Sequence, residues 1–243
     1  MQGNEFMRKV AIMQPYFFPY IGYFSLLKNT DTFILFDTPQ YMRHGWIERN
    51  RVLKQGEGWV YIKAPLQKHS QLTLISEIYI DNTQEWQKKI FAQLEHYKKI
   101  APYYKDVASV LHEVFEHDYE TITDLNEVCL RLVCRYIGFE PVIKTFSKMK
   151  LVIDLPQAPD EWALNICKAI GDVDEYWNPP GGQEFFDPKK YEDNNILLKF
   201  QKAELVPYDQ KRQLFEPGLS IIDVMMFNSP KEICSMLDKY ELT

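Results

Sequence analysis

The chain has 243 residues, 46% of them hydrophobic and 26% charged, with 10 glycines and 14 prolines. Those proportions exclude disordered, collagenous and low-complexity classes, and the length suffices for one large domain with a substantial core. With 28 basic and 34 acidic residues the net charge is −6, which argues against nucleic acid as a partner, because duplex binding needs clustered Lys and Arg to displace counterions.

The first third reads as α/β. Val10 to Met13 is a short apolar strand, Ile21 to Leu27 an apolar helix after a proline-bearing loop, and Thr32 to Phe36 a second strand rich in residues that suit a pleated surface. Together they have the size of a βαβ unit. Trp59 to Lys63 and Leu74 to Ile80 read as further strands. Next come helices. Trp86, Ile90, Phe91, Leu94 and Tyr97 share one helical face, Pro102 opens another helix, and Thr121 starts a third, with Gly138 beyond its end. Trp162 to Ile170 is helical, Ile196 to Phe200 is a strand, and Ser220 to Phe227 and Pro230 to Leu237 are closing helices. The pattern predicts a single α/β domain over 7–243, a mostly parallel sheet flanked by helices, with a mainly helical insertion at about 84–140.

The start, MQGNEFMRKV, lacks the apolar stretch of a signal peptide, and residues 1–6 read as an extension. No run approaches roughly 18 apolar residues, so a cytoplasmic protein without membrane insertion is expected. The cysteines, 129, 134, 167 and 234, form no CxxC and lie in apolar helical patterns, as buried thiols do. The histidines make no HExxH pair, and no glycine-rich phosphate loop is present. Neither a metal nor a cofactor is expected.

Two segments carry more polar and aromatic groups than packing needs. In the first, Met13 to Phe24, two prolines stiffen a loop at a strand's C-terminal edge, where ligands bind in open α/β sheets. Gln14, Tyr16 and Tyr23 supply hydrogen-bonding groups there. The second follows the next strand. It brings Asp37 and Gln40 beside Gln14, then crowds Arg43, His44, Trp46, Arg49, Asn50 and Arg51 together. Arginine forks suit phosphate or carboxylate, and histidine moves protons near neutral pH. From Arg43 to Lys63 five basic residues face two acidic ones. A solvated basic face is the simpler reading; an anionic ligand is the functional one. Arg49 and Arg51 share a face if Trp46 to Leu53 is extended. Late in the chain, Gly181, Gly182, Tyr208 and Gln210 lie in loops richer in turn and hydrogen-bonding chemistry than a connector requires. They are expected to fold over the N-terminal loops, with Asp223 pointing the same way.

These motifs, MQPYFFPYIGYF with Asp31, Asp37, Gln40-Tyr41, Gly45-Trp46 and Arg49-Asn50-Arg51 after it, resemble the opening of the WbqC-like family. The likeness continues through PPGGQEFFDP, VPYDQ and FEPGLSIIDVMMFNSP. It implies an association with bacterial O-antigen and other surface polysaccharides. The layout from Val10 to Tyr41 is also similar to the first βαβ of nucleotidyltransferases such as pantothenate synthetases. Those carry an HxGH pair for ATP phosphates where this chain has Tyr20-Ile-Gly-Tyr23. The resulting expectation is a transferase that moves an acyl or aminoacyl group onto a nucleotide-linked amino sugar. Arg43, Arg49 and Arg51 would hold the diphosphate, and Asp37 and Gln40 the sugar. His44 would be the base and Asn50 an oxyanion donor. The partners implied are a nucleotide sugar and an acyl thioester or carrier protein. A nucleotidyl-transfer enzyme and a non-catalytic nucleotide-sugar-binding subunit are the alternatives.

Overall fold

The computed structural model describes residues 7–243; residues 1–6, read above as an extension, lie outside the described residues. Strand β1 (Lys9–Met13) leads through helix α1 (Ile21–Asn29) to β2 (Thr32–Leu35). The chain then leaves the sheet. It forms a hairpin of β3 (Arg49–Leu53) and β4 (Trp59–Lys63), then helices α2 (Trp86–Leu94), α3 (Tyr104–Val114) and α4 (Ile122–Ile137). It re-enters at β5 (Ile143–Thr145), followed by α5 (Phe146–Met149), α6 (Glu161–Ile170), β6 (Glu175–Asn178), α7 (Pro188–Glu192) and β7 (Leu197–Ala203). Helices α8 (Ile221–Phe227) and α9 (Pro230–Met236) and strand β8 (Tyr240–Leu242) close the fold.

The main sheet runs β5-β2-β1-β6-β7-β8, parallel throughout except for the antiparallel pair β7–β8. It is therefore the mixed α/β, mostly parallel sheet that the sequence predicts. Alternation along the strands sends side chains to two cores. Ala11, Phe33, Leu35 and Trp177 face the larger one, with α1, α4, α8 and α9. Val10, Ile12, Ile34 and Tyr176 face the smaller one, with α6 and α7. Covering both faces explains why β1 and β2 read as continuous apolar runs. The order grows outward from β1 in both directions, so the switch point lies between β1 and β6. At such a point ligands bind beyond the strands' carboxyl ends.

Helix α4 shows how local sequence sets the elements. Thr121 accepts the Asp124 N–H at its start; Gly138, at φ 103°, ends it in a left-handed turn that bonds back to Cys134. Ile122, Leu125, Cys129 and Val133 form its buried stripe. One predicted strand is overturned. Leu74–Ile80 is instead a 3-10 turn at Ile75–Glu77 flanked by isolated bridges. Its backbone bonds go to loops, that after β2 (Ser76 N–H to the Asp37 carbonyl, Ile75 N–H to that of Pro39) and those at Gln67 and 120–122, rather than to a named strand. The apolar side chains of Ile75, Ile78 and Ile80 are still buried. No helix among the described residues is long and apolar enough to cross a membrane.

Candidate functional site

The loops that leave β1 and β2 emerge side by side. Met13 pairs with Leu35, and the Phe36 N–H extends the ladder to the Met13 carbonyl. Gln14 and Asp37 thus stand at the same sheet edge. Their side chains differ in availability. The Asp37 carboxylate is buried and accepts both the backbone N–H (3.0 Å) and the hydroxyl (2.6 Å) of Ser147, tying β2 to α5. Gln40 is exposed and donates to the Gln71 carbonyl. The Gln14 carbonyl takes the Tyr23 hydroxyl at 2.9 Å. Burial raises the pKa of Tyr16 and, more strongly, of Tyr23, so both phenols keep their protons at neutral pH. Gly181 and Gly182 lie in the 3-10 turn Pro180–Phe185 directly after β6, the strand beside β1. Gln14 and this turn therefore flank the switch point.

Loop 15–20 is clamped on its other side by the hairpin. Asn50, buried on β3, donates to the carbonyls of Phe17 (3.1 Å) and Phe18 (3.0 Å) and accepts the Arg51 N–H. Asn126 of α4 ties Pro15 to Ile47 in the same way. Phe18, fully buried, sits at φ 40°, a left-handed conformation uncommon for a bulky side chain. Its carbonyl also takes the Ser220 hydroxyl at 2.7 Å, and this net of bonds holds the strained residue in place. Both amide donors of Asn50 are spent on backbone, so none is free to steady an oxyanion.

The opposite face of the hairpin is open. β3 is extended, and Arg49 and Arg51 share that face with their cross-strand partners Lys63 and Tyr61. The Arg51 guanidinium lies over both the Trp46 ring (5.5 Å) and the Trp59 ring (5.2 Å). It donates to the Gly218 carbonyl at 3.2 Å, while its Nε is buried without a partner. Gly218, at φ 65°, uses a backbone conformation that side chains disfavour. Arg49 stacks on Tyr61 at 4.2 Å and binds the His44 and Gly45 carbonyls. Neither arginine pairs with a carboxylate among the described residues. Arg43 and His44 are exposed in the preceding turn, where His44 takes φ 67°. Trp46 and Trp59 are 36% and 37% exposed, enough for a planar group to stack on each.

The late segment packs on loop 15–20, with the Ile221 N–H on the Pro19 carbonyl and a bridge between Tyr20 and Ser220. Asp223 is fully buried and accepts from Tyr97 (2.5 Å), Tyr208 (2.6 Å) and Gln210 (2.9 Å). Burial raises its pKa although all three bonds oppose the rise. Tyr208, Gln210 and Asp223 thus come together, as a sealed cluster that ties loop 204–220 to the rest of the fold. Arg212 of that loop binds the Gly58 and Lys54 carbonyls at the hairpin turn. Sequence reasoning missed Tyr97 and Trp59, which it read as helix stripe and strand. The alternation of Trp59 with Tyr61 opposite Arg51 is the signal that could have placed the tryptophan.

Among the described residues no group of His, Cys, Asp and Glu is arranged to hold a metal ion. The family model of the WbqC-like protein family matches residues 14–234. The chain is also similar to the uncharacterized protein Rv1507c of Mycobacterium tuberculosis, 30% identical over 91% of this chain and 94% of that one. No solved structure matches.

Proposed function

The chain belongs to the WbqC-like protein family, and from that premise we propose that it is a transferase of bacterial surface-polysaccharide biosynthesis acting on a nucleotide-linked amino sugar. The observation that carries the reading is Arg51, a half-buried guanidinium over two tryptophans with no carboxylate to neutralise it. A cation so placed suits a diphosphate, and the open parts of Trp46 and Trp59 suit a base stacked beside it. Arg49 adds a second fork on the same face, and Arg43 a third charge in the turn.

The reaction in this reading is acyl or aminoacyl transfer. The sugar amine attacks a thioester carbonyl, the C–N bond forms, the C–S bond breaks, and the sulfur leaves as thiolate. His44, exposed in the turn that Arg49 binds, accepts the proton that the amine loses and passes it to the thiolate. Asp37 and Gln40 are engaged with Ser147 and Gln71, so Gln14, at the switch point, is the better candidate for a sugar hydroxyl.

Calorimetric titration of the full chain with UDP-linked amino sugars tests the assignment. Arg51→Ala and Trp59→Ala are expected to weaken binding, by about 1–3 kcal/mol for the arginine, with little change in melting temperature. Early melting of both variants with normal binding would make this face scaffold and end the reading.

A further inference from the structure

The outer edge of β4 faces α2 across a groove that meets the site above at Arg49 and Trp59. Two cavities, of about 550 and 480 Å³, lie along it, and Val60 and Gln93 line both. They adjoin as two halves of the groove at these shared residues, where Gln93 donates to the Tyr61 carbonyl at 2.9 Å. One half carries Arg49, Lys63 and Lys89, the other Lys54, Lys98 and Lys99. The two acids on the walls are already engaged, Glu85 with Lys88 and Glu95 with Lys98. Among the described residues Arg49, Lys54, Lys63, Lys89 and Lys99 have no carboxylate partner. In a chain with a net charge of −6, such a row is a concentrated positive field.

Each half also holds a buried polar atom without a partner, Trp86 Nε1 in the first and His96 Nε2 in the second. Buried orphans of this kind are uncommon and call for a specific explanation. The His96 Nδ1 stands 3.1 Å from the Gln93 carbonyl. With the proton on Nδ1, Nε2 is an acceptor. Burial and the nearby Arg212 lower the pKa of this imidazole and keep it neutral beside Lys54, Lys98, Lys99 and Glu95, with Tyr97 packed on its ring. The orphan donor, Trp86 Nε1, belongs to a ring packed against Phe17 and Phe115. A five-residue strand is roughly 16 Å long at 3.3 Å per residue, room for an extended small molecule with several phosphates.

We propose that this groove binds an elongated, multiply phosphorylated small molecule of the class that carries acyl groups as thioesters, as the second substrate of the transfer. The inference rests on the nucleotide-sugar reading for its place in the reaction, and Arg49 and Trp59, common to both surfaces, join the two sites. The shared phosphate chemistry has another source, since the diphosphate of the nucleotide sugar itself could extend from Arg51 into the groove. Competition separates the two.

The experiment titrates the full chain with coenzyme A, with a UDP-linked amino sugar, and with a ten-nucleotide oligouridine. Wild type and a Lys54→Glu/Lys99→Glu double variant are compared, with circular dichroism to show that both fold. Coenzyme A is expected to bind wild type, and at least tenfold more weakly to the double variant. The nucleotide sugar should keep its affinity in both and leave coenzyme A in place. Equal coenzyme A affinity in the two proteins, or none in wild type, overturns the proposal. So does displacement by the nucleotide sugar, which makes the groove part of one site, or tighter binding of the oligouridine, which makes it a nucleic-acid channel. If the nucleotide sugar fails to bind while coenzyme A binding depends on the lysines, the groove stands and the reading of Arg51 falls. If the double variant misfolds, Lys89→Gln repeats the comparison on the other half.

Discussion

The Tyr97 hydroxyl donates to Asp223 Oδ1 at 2.5 Å and accepts the Leu53 backbone N–H at 2.9 Å. One phenol thereby joins the end of the hairpin to helix α8 through the core. Tyr97→Phe leaves a buried N–H and a carboxylate oxygen without partners, and should lower stability by about 1–3 kcal/mol in urea unfolding. Binding at the hairpin's open face should survive wherever the variant is folded.

Asp223 makes a pH prediction of definite sign. Burial raises its folded pKa above the unfolded value. The native state therefore binds a proton more readily than the unfolded chain, and this group favours folding more as the medium becomes acid. The contribution is full below the ordinary carboxylate pKa and is lost as pH rises through the raised one. Asp223→Asn lacks this dependence. The stability of wild type minus that of Asp223→Asn should grow as pH falls from neutral to below the ordinary carboxylate range; a difference that stays constant or shrinks over that whole span would contradict it.

The parallel strands were legible because burial on both faces leaves uninterrupted apolar runs, as in Thr32–Leu35. Strand β6 was not. Its sequence, EYWN, has two apolar residues between polar ones, yet it pairs with β1 at the centre of the sheet. Lys9 lies over the Trp177 ring at 5.1 Å, a contact that only the tertiary pairing creates. The site was legible in part. Alternation puts Arg49 and Arg51 on one face of an extended strand, which the hairpin ladder provides. Tyr208 and Gln210 stood out by their loop chemistry and Asp223 by its place at a helix start, but nothing in the sequence said that they would bond to one another. Residue type alone could not say that Asp37 and Asn50 spend their hydrogen bonds on Ser147 and on the Phe17–Phe18 backbone. Those partners lie far away in sequence, and a polar side chain that clamps a loop looks the same as one that awaits a ligand.

Thiol reactivity should be sharply uneven. Cys129, Cys134 and Cys167 are buried, and burial raises each thiol, that of Cys167 to about 12. A raised pKa removes the reactive thiolate, and packing removes access. Cys234 alone is partly exposed. Ellman's reagent at pH 8 should modify Cys234 alone in the folded protein, and all four cysteines after denaturation. Fast reaction of Cys234→Ser in the native state would contradict the packing.

The acid limb of stability should depend on Lys148. Burial opposes ionisation of Asp124 and Glu127, but hydrogen bonds from Lys148 and Thr121 to the first, and from Thr145 and Arg131 to the second, hold both pKa values below the usual range. A lowered carboxyl contributes stability above its unfolded pKa and loses it as pH falls through the folded one. Lys148 is 58% exposed, so screening limits its share to about 1 kcal/mol or less. Lys148→Ala should move the midpoint of acid unfolding to slightly higher pH, and its cost in stability should shrink as pH falls through the lowered carboxyl pKa values.

Asn50 separates a clamp from a catalyst. An oxyanion donor and a loop clamp are both buried amides near a candidate site, but they fail differently. Asn50→Ala removes the donor to the Phe17 carbonyl, whereas the Phe18 carbonyl keeps the Ser220 hydroxyl. The Phe17 carbonyl and the Arg51 N–H are then both left short of a partner, a cost of about 1–3 kcal/mol for each group that stays buried. The loss falls where Phe18 is held at φ 40°, so the loop has a lower-strain conformation to relax into once the clamp is gone. Asn50→Ala should therefore melt several degrees early. At a temperature where it is still folded, it should bind a UDP-linked amino sugar within a few-fold of wild type. A true oxyanion donor gives the reverse: an unchanged melting temperature and a rate lower by roughly 10²–10³. Asn50→Asp sharpens the comparison. It keeps the size of the side chain but turns an acceptor toward two carbonyls, so it should destabilise the protein more than alanine does. A stable, fully folded Asn50→Asp variant would mean that the amide does not hold loop 15–20.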